Sequence, residues 1–384
     1  MQDPITQFEL AQHQMALRFK SGEDQERALL NEIAKTVIVD RLVPPGAMLF
    51  KTDSDPDKRT LKIRYIGAEG SCTIHRHALN QICSKVSMPM AFVNMLQVGD
   101  AWKQDLLAHN LNELFGQPKW VDRDGSPTRF LHRLVGNELR GFLSRRYNRH
   151  LASAPLLRAF TEQCRNEGAR PIEAVNTPVR SALKTLLPKV FEAFPGEYIC
   201  LGVEWSNSDF GSGKLKVMQT VWRVGTGTSA VLDEGMSKAH IGSVIQDSDL
   251  EVSDETAQKE VAAQQSAVRD HVREYLSEKT VDRMLTAIRS ARDEQIPWSS
   301  LRTRLKDILS KGDLDWLKGI LDAKGQTIID LPPVSFAPDG TPTPNAYWAA
   351  SAVGVLATKA EDQDRKLDLQ REAGKLLAAA MAAA

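Results

Sequence analysis

Neither sign of charge is in surplus: 49 Lys and Arg balance 49 Asp and Glu over 384 residues. That balance argues against a general polyanion binder of the histone type. It leaves a local basic face open, because clustered charge, not net charge, attracts phosphates. Cysteine is scarce as well. Cys72, Cys83, Cys164 and Cys200 stand at irregular intervals, which gives no disulfide framework and predicts a cytoplasmic chain with reduced thiols. No apolar run approaches the roughly 20 residues that span a bilayer, so no membrane partner is expected. The opening "MQDPITQFELAQHQMALRFK" has an early acid and no basic, apolar signal core. Catalytic signatures are missing too. There is no G-x-S-x-G elbow and no H-E-x-x-H helix, and the Gly213-Lys214 dipeptide is followed by Leu215 where a phosphate loop has Ser or Thr. The chain therefore reads as a non-enzyme that requires no cofactor.

What is present is the material for a sizeable core: seven Trp, twelve Phe and 42% hydrophobic residues, enough for about two domains. "GEDQERALLNEIAK" (22–35) predicts an acidic-first amphipathic helix. The β-branched and apolar runs at 36–40, 47–53 and 60–67, spaced by "VPPG" and "DSDPDK", predict a small antiparallel sheet. Residues 73–115 turn helical, with Leu106, Leu107, Leu111 and Leu114 at helical spacing. "TRFLHRLVGNELRGFLS" (128–144) reads as a hairpin about Gly136-Asn137, and "APLLRAFTEQCRNEG" (154–168) as a helix closed by Gly168. A second β region spans 179–224, with two strands joined by the Asn/Ser/Gly-rich turn 206–213. The acidic stretch 246–260 opens a helical final third, interrupted by the proline-rich connector 331–345. The prediction is an α+β protein: a mixed, mostly antiparallel β core with flanking helices over 1–245, and a helical C-terminal region over 246–384.

The clearest local departure from neutrality is "ELRGFLSRRYNRH" (138–150) and its surroundings. Between 119 and 158 stand Lys119, Arg123, Arg129, Arg133, Arg140, Arg145, Arg146, Arg149 and Arg158, against Asp122, Asp124 and Glu138. In a strand, Arg140 would share a face with Glu138 and Phe142, and "SRRYNR" would leave the strand end as an exposed loop. Arginines beside a tyrosine suit phosphate contacts plus base stacking, the combination used on single-stranded nucleic acid. Arg133, Arg140, Arg145, Arg146 and Arg149 are the candidate phosphate contacts and Tyr147 the stacking residue. Lys214 and Lys216 would extend the track if the two hairpins share a sheet. The competing reading is a basic face paired to acids, those of 246–260, of the C-terminal helix or of a neighbouring subunit. A metal reading of Cys72, His75, His77 and Cys83 has suitable zinc ligands. Their C-x2-H-x-H-x5-C spacing, however, forms no tight knuckle and favours an ordinary strand-to-helix junction.

Several of these stretches together resemble a phage- and plasmid-encoded protein family of unknown function, over roughly residues 60–290. "HALNQICSKVSMPMAFVNML" is similar to the family's helix leading to a bend, and "LLAHNLNELF" to its Asn-Leu-Asn block. "LRGFLSRRYNRH" resembles its Arg-Phe-Leu-Ser-x-Arg-Tyr signature, matched by Arg140, Phe142, Leu143, Ser144, Arg146 and Tyr147. "LGVEWSNSDFGSGKLKV" and the following "WRVGTGTSAVLDEGMSKAHIG" match further blocks through Asn207, Ser208, Gly211, His240 and Gly242. Asp209 stands where the family has Glu, and "GTGTSA" where it has a Cys-x-Asn-Gly turn. The resemblance supplies no activity but implies a mobile-element setting. With the arginine segment, it leads to the expectation of a single-stranded nucleic-acid binding protein, DNA favoured, that acts in recombination or annealing as a homo-oligomer. The alternative is a structural or interaction component of a mobile element without nucleic-acid contact.

Overall fold

The computed structural model describes residues 6–53, 60–97, 100–122, 125–241, 254–323, 331–332, 334–336 and 340–383. Gly242, Arg123, Asp124, most of the acidic stretch 246–260 and part of the proline-rich connector lie outside them. The fold is α+β, as expected, with two sheets of six strands. No helix among the described residues is long and apolar enough to cross a membrane.

The first sheet holds β1 (Ile38–Val43), β2 (Met48–Thr52), β3 (Leu61–Tyr65), β4 (Cys72–Ile74), β5 (Phe130–Val135) and β6 (Glu138–Ser144), in spatial order β1-β5-β6-β4-β3-β2. Its pairs are antiparallel except β4–β6, which is parallel. A parallel pair needs a long crossover. The stretch between β4 and β5 supplies one with α2 (Arg76–Lys85), α3 (Met90–Gln97) and α4 (Ala101–Phe115). Period-two alternation turns Leu61, Ile63 and Tyr65 inward against Ile82, Leu107, Leu111 and Phe115 of these helices. At the sheet edge Asn112 of α4 accepts from the Phe50 amide at 2.7 Å and donates to the Phe50 carbonyl at 2.8 Å. One side chain thus satisfies both backbone groups that Phe50 would leave open on edge strand β2.

The β5–β6 hairpin turns at Gly136, whose φ of +58° lies in the left-handed region a tight two-residue turn requires. Its register is interrupted. Arg133 faces Gly141 while Leu134 faces Leu139, so Arg140 is an extra, bulged residue. The bulge overturns the expected alternation: Leu139 and Phe142 both enter the first core, and Arg140 is carried away from Phe142.

The second sheet comprises β7 (Arg170–Asn176), β8 (Ser181–Leu186), β9 (Phe191–Phe194), β10 (Glu197–Asn207), β11 (Leu215–Arg223) and β12 (Thr228–Lys238). Their order is β12-β11-β10-β8-β7, with β9 also on β10. All but one residue of β10 is buried, because both faces are covered. Ile199 and Leu201 meet α7 (Glu278–Asp293) and α10 (Ala346–Lys359), and Val203 and Trp205 meet α5 (Ser153–Asn166) and α6 (Asp254–Tyr275). On the opposite face Cys200 meets α1 (Gln7–Lys35), and Glu204 and Ser206 face α11 (Gln363–Ala383). Helices α8 (Trp298–Leu305) and α9 (Lys311–Asp322) complete the core around α10, which is buried from Ala346 through Ala357.

Helix α1 begins fifteen residues earlier than the expected start at 22. Thr6 and Glu9 form a reciprocal capping box, and Ala11, Met15 and Phe19, four apart, pack on Ile172, Leu186 and Trp222. The expected division at residue 245 does not follow the cores. One hydrophobic core joins β9–β12 to α7–α11, so the C-terminal helices complete the second sheet.

Candidate nucleic-acid interface

The arginine segment lies along the border between the two sheets, and most of it is tied inward. Arg133 is buried, donates from Nε to Asp40 at 2.9 Å and from Nη1 to the Asp209 carbonyl, and stacks 5.5 Å above the Tyr147 ring. Arg140 donates to Glu138 at 2.7 Å, Arg145 pairs with Asp122 at 2.7 Å, and Arg149 stands 3.6 Å from Asp40. Arg146 is exposed and has no side-chain partner among the described residues.

Tyr147 departs furthest from expectation. The loop was expected to present its ring to a base, yet the ring is buried and lies flat on His240, 4.8 Å between centroids and 5° from parallel. Its hydroxyl donates to the Ser208 carbonyl at 2.8 Å. In this conformation the ring is an internal strut, with His240 on one side and Arg133 over it, and it offers no face to a base. Burial raises its hydroxyl pKa, against the lowering effect of Arg133, so the phenol stays protonated and remains a donor.

Around that strut the blocks named by the family resemblance come together, although they are far apart in sequence. His240 bonds Asn207 at 2.8 Å and the Asn148 carbonyl at 3.2 Å, and burial, with Arg133 nearby, pushes its pKa down to about 4. Both ring nitrogens face acceptor oxygens, so the neutral imidazole donates to one of the two at a time. Asn207 in turn donates to the Leu151 carbonyl at 2.7 Å and to Ser153 at 3.2 Å. Asp209 accepts from the Ser153 amide at 3.0 Å, so its carboxylate meets the positive end of α5. Burial raises the Asp209 pKa, and Arg133 works in the other direction.

The loop 207–214 is shaped by Ser208, whose Oγ donates to the Val179 carbonyl at 2.6 Å and accepts from the amides of Phe210 at 3.2 Å and Ser212 at 2.8 Å. Gly211 (φ +77°) crosses close over β6, where a Cβ would overlap the side chain of Leu143. The close approach lets Gln81 and His77 of α2 both bond the Phe210 carbonyl, at 3.0 and 3.1 Å. Lys214, at the loop's end, is exposed; Lys216, one turn of the pleat further, is half-buried. The two hairpins belong to different sheets, so the expected shared-sheet track does not form. This loop is what bridges them.

Where the loop, the bulge and the β7–β8 turn meet, a cleft of about 350 Å³ opens. Arg133, Ser153, Ser181, Asn207 and Phe210 line its buried end, and the exposed Glu32, Asn176 and Pro178 line its mouth. Arg140, re-aimed by the bulge, reaches the Pro178 carbonyl at 3.4 Å and lies 6.0 Å from the Phe210 ring. Arg180 enters from the other side, donating to the Ser212 carbonyl at 3.1 Å and to Asp368 of α11 at 3.0 Å.

Arg180, Phe210 and Ser153 were not among the residues expected from sequence. "TPVRS" carried one signal, a turn in which the Thr177 hydroxyl accepts from the Arg180 amide at 3.0 Å. The partners of that turn, however, come from distant elements. Of the four metal candidates, Cys72 lies on β4, His75 caps α2 by accepting from the His77 amide at 3.1 Å, and Cys83 is in the first core. Among the described residues no three His, Cys, Asp or Glu side chains group as metal ligands. No family model, curated protein or solved structure matches the chain.

Proposed function

We propose that the protein binds single-stranded nucleic acid, DNA in preference, as a phage or plasmid protein that works in recombination or annealing as a homo-oligomer. The observation that carries the reading is the convergence of Arg140 and Arg180 at one cleft walled by Phe210. Guanidinium groups are suited to phosphate oxygens because their planar forks donate two parallel hydrogen bonds. The mobile-element setting comes from the resemblance, and the net charge of zero limits attraction to these local groups.

The binding determinants differ from the linear arginine run. Arg133, Arg145 and Arg149 hold the molecule together, whereas Arg146 and Lys214 are exposed and Arg140 and Arg180 line the cleft while each is also held by a carboxylate. The internal carboxylate partners of Arg133, Arg140, Arg145 and Arg149 favour a second reading, in which the segment is purely a structural tie.

Labelled oligo-dT and a matched duplex, titrated across a salt series, separate the two. Under the proposal single strands bind, with log K falling linearly against log salt. Arg146→Ala with Lys214→Ala then lowers the slope by about 0.7 per lost phosphate contact. Absence of binding at low salt overturns the proposal and leaves the structural reading.

A further inference from the structure

We infer that the closed end of this cleft takes the terminal phosphate of a nucleotide strand, a phosphate monoester, while the rest of the strand lies across the mouth. The inference rests on the nucleic-acid reading above and deepens it.

Shape is the first support. A volume of about 350 Å³ is at the small end of ligand sites, of the order of one nucleotide. Its inner wall is closed by buried residues of both sheets and by Ala152–Ala154 at the start of α5. A continuing strand needs an entrance and an exit, whereas a strand end needs only an entrance.

The donors are the second support. Arg180 Nε is buried with no hydrogen-bond partner, and the nearest carboxylate oxygen, on Asp364, is 3.7 Å away. A buried donor left in that state carries a desolvation cost, which an oxygen that displaced the Asp364 carboxylate would relieve. Ser153 adds a hydroxyl to the lining, while the Thr177 and Ser181 hydroxyls already donate to the Arg180 carbonyl and Asn176, and the Ser153 amide at the start of α5 to Asp209.

The carboxylates present do not close the site to an anion. Asp209 is already engaged by the Ser153 amide, and Arg133 donates to its backbone carbonyl. Glu32 is at the exposed mouth. Asp368, which holds Arg180, is 53% exposed against 12% for the guanidinium, whereas Glu138 and Arg140 are similarly exposed, at 32% and 24%. Exposed acids make weak holds. A phosphate that takes two parallel bonds from one guanidinium can replace them.

The test uses the full chain and four probes: oligo-dT with a 5′-phosphate, with a 3′-phosphate or with hydroxyl ends, and thymidine monophosphate. Affinities are read by anisotropy competition for the wild type, Arg140→Gln, Arg180→Gln and the Arg146→Ala/Lys214→Ala pair. The expected result is at least a tenfold preference for one phosphorylated end over hydroxyl ends. That preference disappears in Arg140→Gln and Arg180→Gln, and persists in the Arg146/Lys214 pair while overall affinity falls. Thymidine monophosphate should compete for the end-specific part alone, and its binding should slow hydrogen exchange across 152–154 and 176–181. The exchange readout needs no substitution, so it decides the matter even if a glutamine variant fails to fold. Equal affinity for all three oligonucleotides, with no protection by the mononucleotide, overturns the terminal-phosphate site and leaves strand binding standing. Mononucleotide protection without oligonucleotide binding overturns the strand reading and retains the cleft as a nucleotide site. No response to any probe overturns both.

Discussion

In the first sheet a buried guanidinium, Arg133, is held mainly by one carboxylate and one carbonyl. In the second, a buried ammonium, Lys184, sits in a lattice that runs from strand to helix. Lys184 donates to Glu173 at 2.7 Å and to Gln370 of α11, and Lys366 of α11 also donates to Glu173. Glu204 stands 3.5 Å from Lys184 and 3.7 Å from Arg371. The contrast follows from coverage. β10 is covered on both faces, so a charge on it must find partners within the protein. The first sheet meets the second only at its border, where charges can turn toward a cleft. Charge in the doubly covered sheet is tied wholly inside the protein, whereas the seam mixes structural pairs such as Arg133–Asp40 with guanidiniums that line a cleft.

The contrast is broken most directly by removing its two central cations. Lys184→Ala removes the partner shared by Glu173, which keeps Lys366, and the fully buried Glu204, which keeps Arg371 at 3.7 Å, and should cost about 3–5 kcal/mol of stability. Arg133→Ala leaves Asp40 with Arg149 still beside it and should cost less, about 1.5–3 kcal/mol. Urea denaturation of both variants orders them, and a larger loss at Arg133 would reverse the contrast.

Acid should separate the regions next. His132, buried in the first sheet, and His240, at the border, have pKa values pushed down to about 3 and about 4 from the usual 6.5, each chiefly by burial. For such bases the unfolded state takes up protons first. Stability is therefore full above pH 6.5 and falls as pH drops toward 4 and then 3. In Glu173 burial acts to raise the pKa, but Lys184 and Lys366 outweigh it and hold the value at about 2. Its contribution is present above pH 4.5 and is lost as pH falls through 2. Denaturation midpoints measured from pH 7 to 3 should fall first in the histidine window, and His240→Asn should flatten that part of the curve. An unchanged slope in His240→Asn would remove His240 from the account.

Smaller effects sharpen the picture at the seam. Tyr147→Phe keeps the stack on His240 but loses the bond to Ser208, and should cost about 1 kcal/mol in thermal denaturation. Arg146→Ala should leave stability within about 0.5 kcal/mol. Any larger loss would mean that Arg146, too, is a structural residue.

Much of the framework was legible because periodicity is local. The β5–β6 hairpin announced itself through Gly136-Asn137, α4 through its leucine spacing, and β10–β11 through a polar turn between apolar runs. β7 and β12 carry no such local signal. "RPIEAVN" opens with an arginine and a proline, and "TSAVLDEGMSK" carries acids and a glycine that obscure the alternation of a strand broken by a register shift. The candidate site was legible only in part. Sequence marks where cationic residues lie, but whether each is paired depends on Asp40, Asp122 and Glu138, and strand pairing decides which of those arrive. Arg140 illustrates the limit. Its orientation is set by one unpaired residue in the β5–β6 ladder, and no composition or spacing in "ELRGFLS" encodes that slip.

The two helices that complete the second sheet also bear on how the chain reaches its fold. α1, ending at Lys35, docks on β7, which begins at Arg170, and α11, beginning at Gln363, crosses β12 so closely that a Cβ on Gly374 would overlap the Val231 carbonyl. At synthesis rates of about 5–20 residues per second, α1 waits on the order of ten seconds for its partner strand, and α11 closes the sheet later still. Such distant pairings make for slow folding. Through that interval the apolar stripe of Ala11, Met15 and Phe19 and the strand faces that α11 will cover are open to solvent and to other chains. Yield of folded protein should therefore depend on temperature and on chaperone supply more steeply than the packing of the finished molecule suggests.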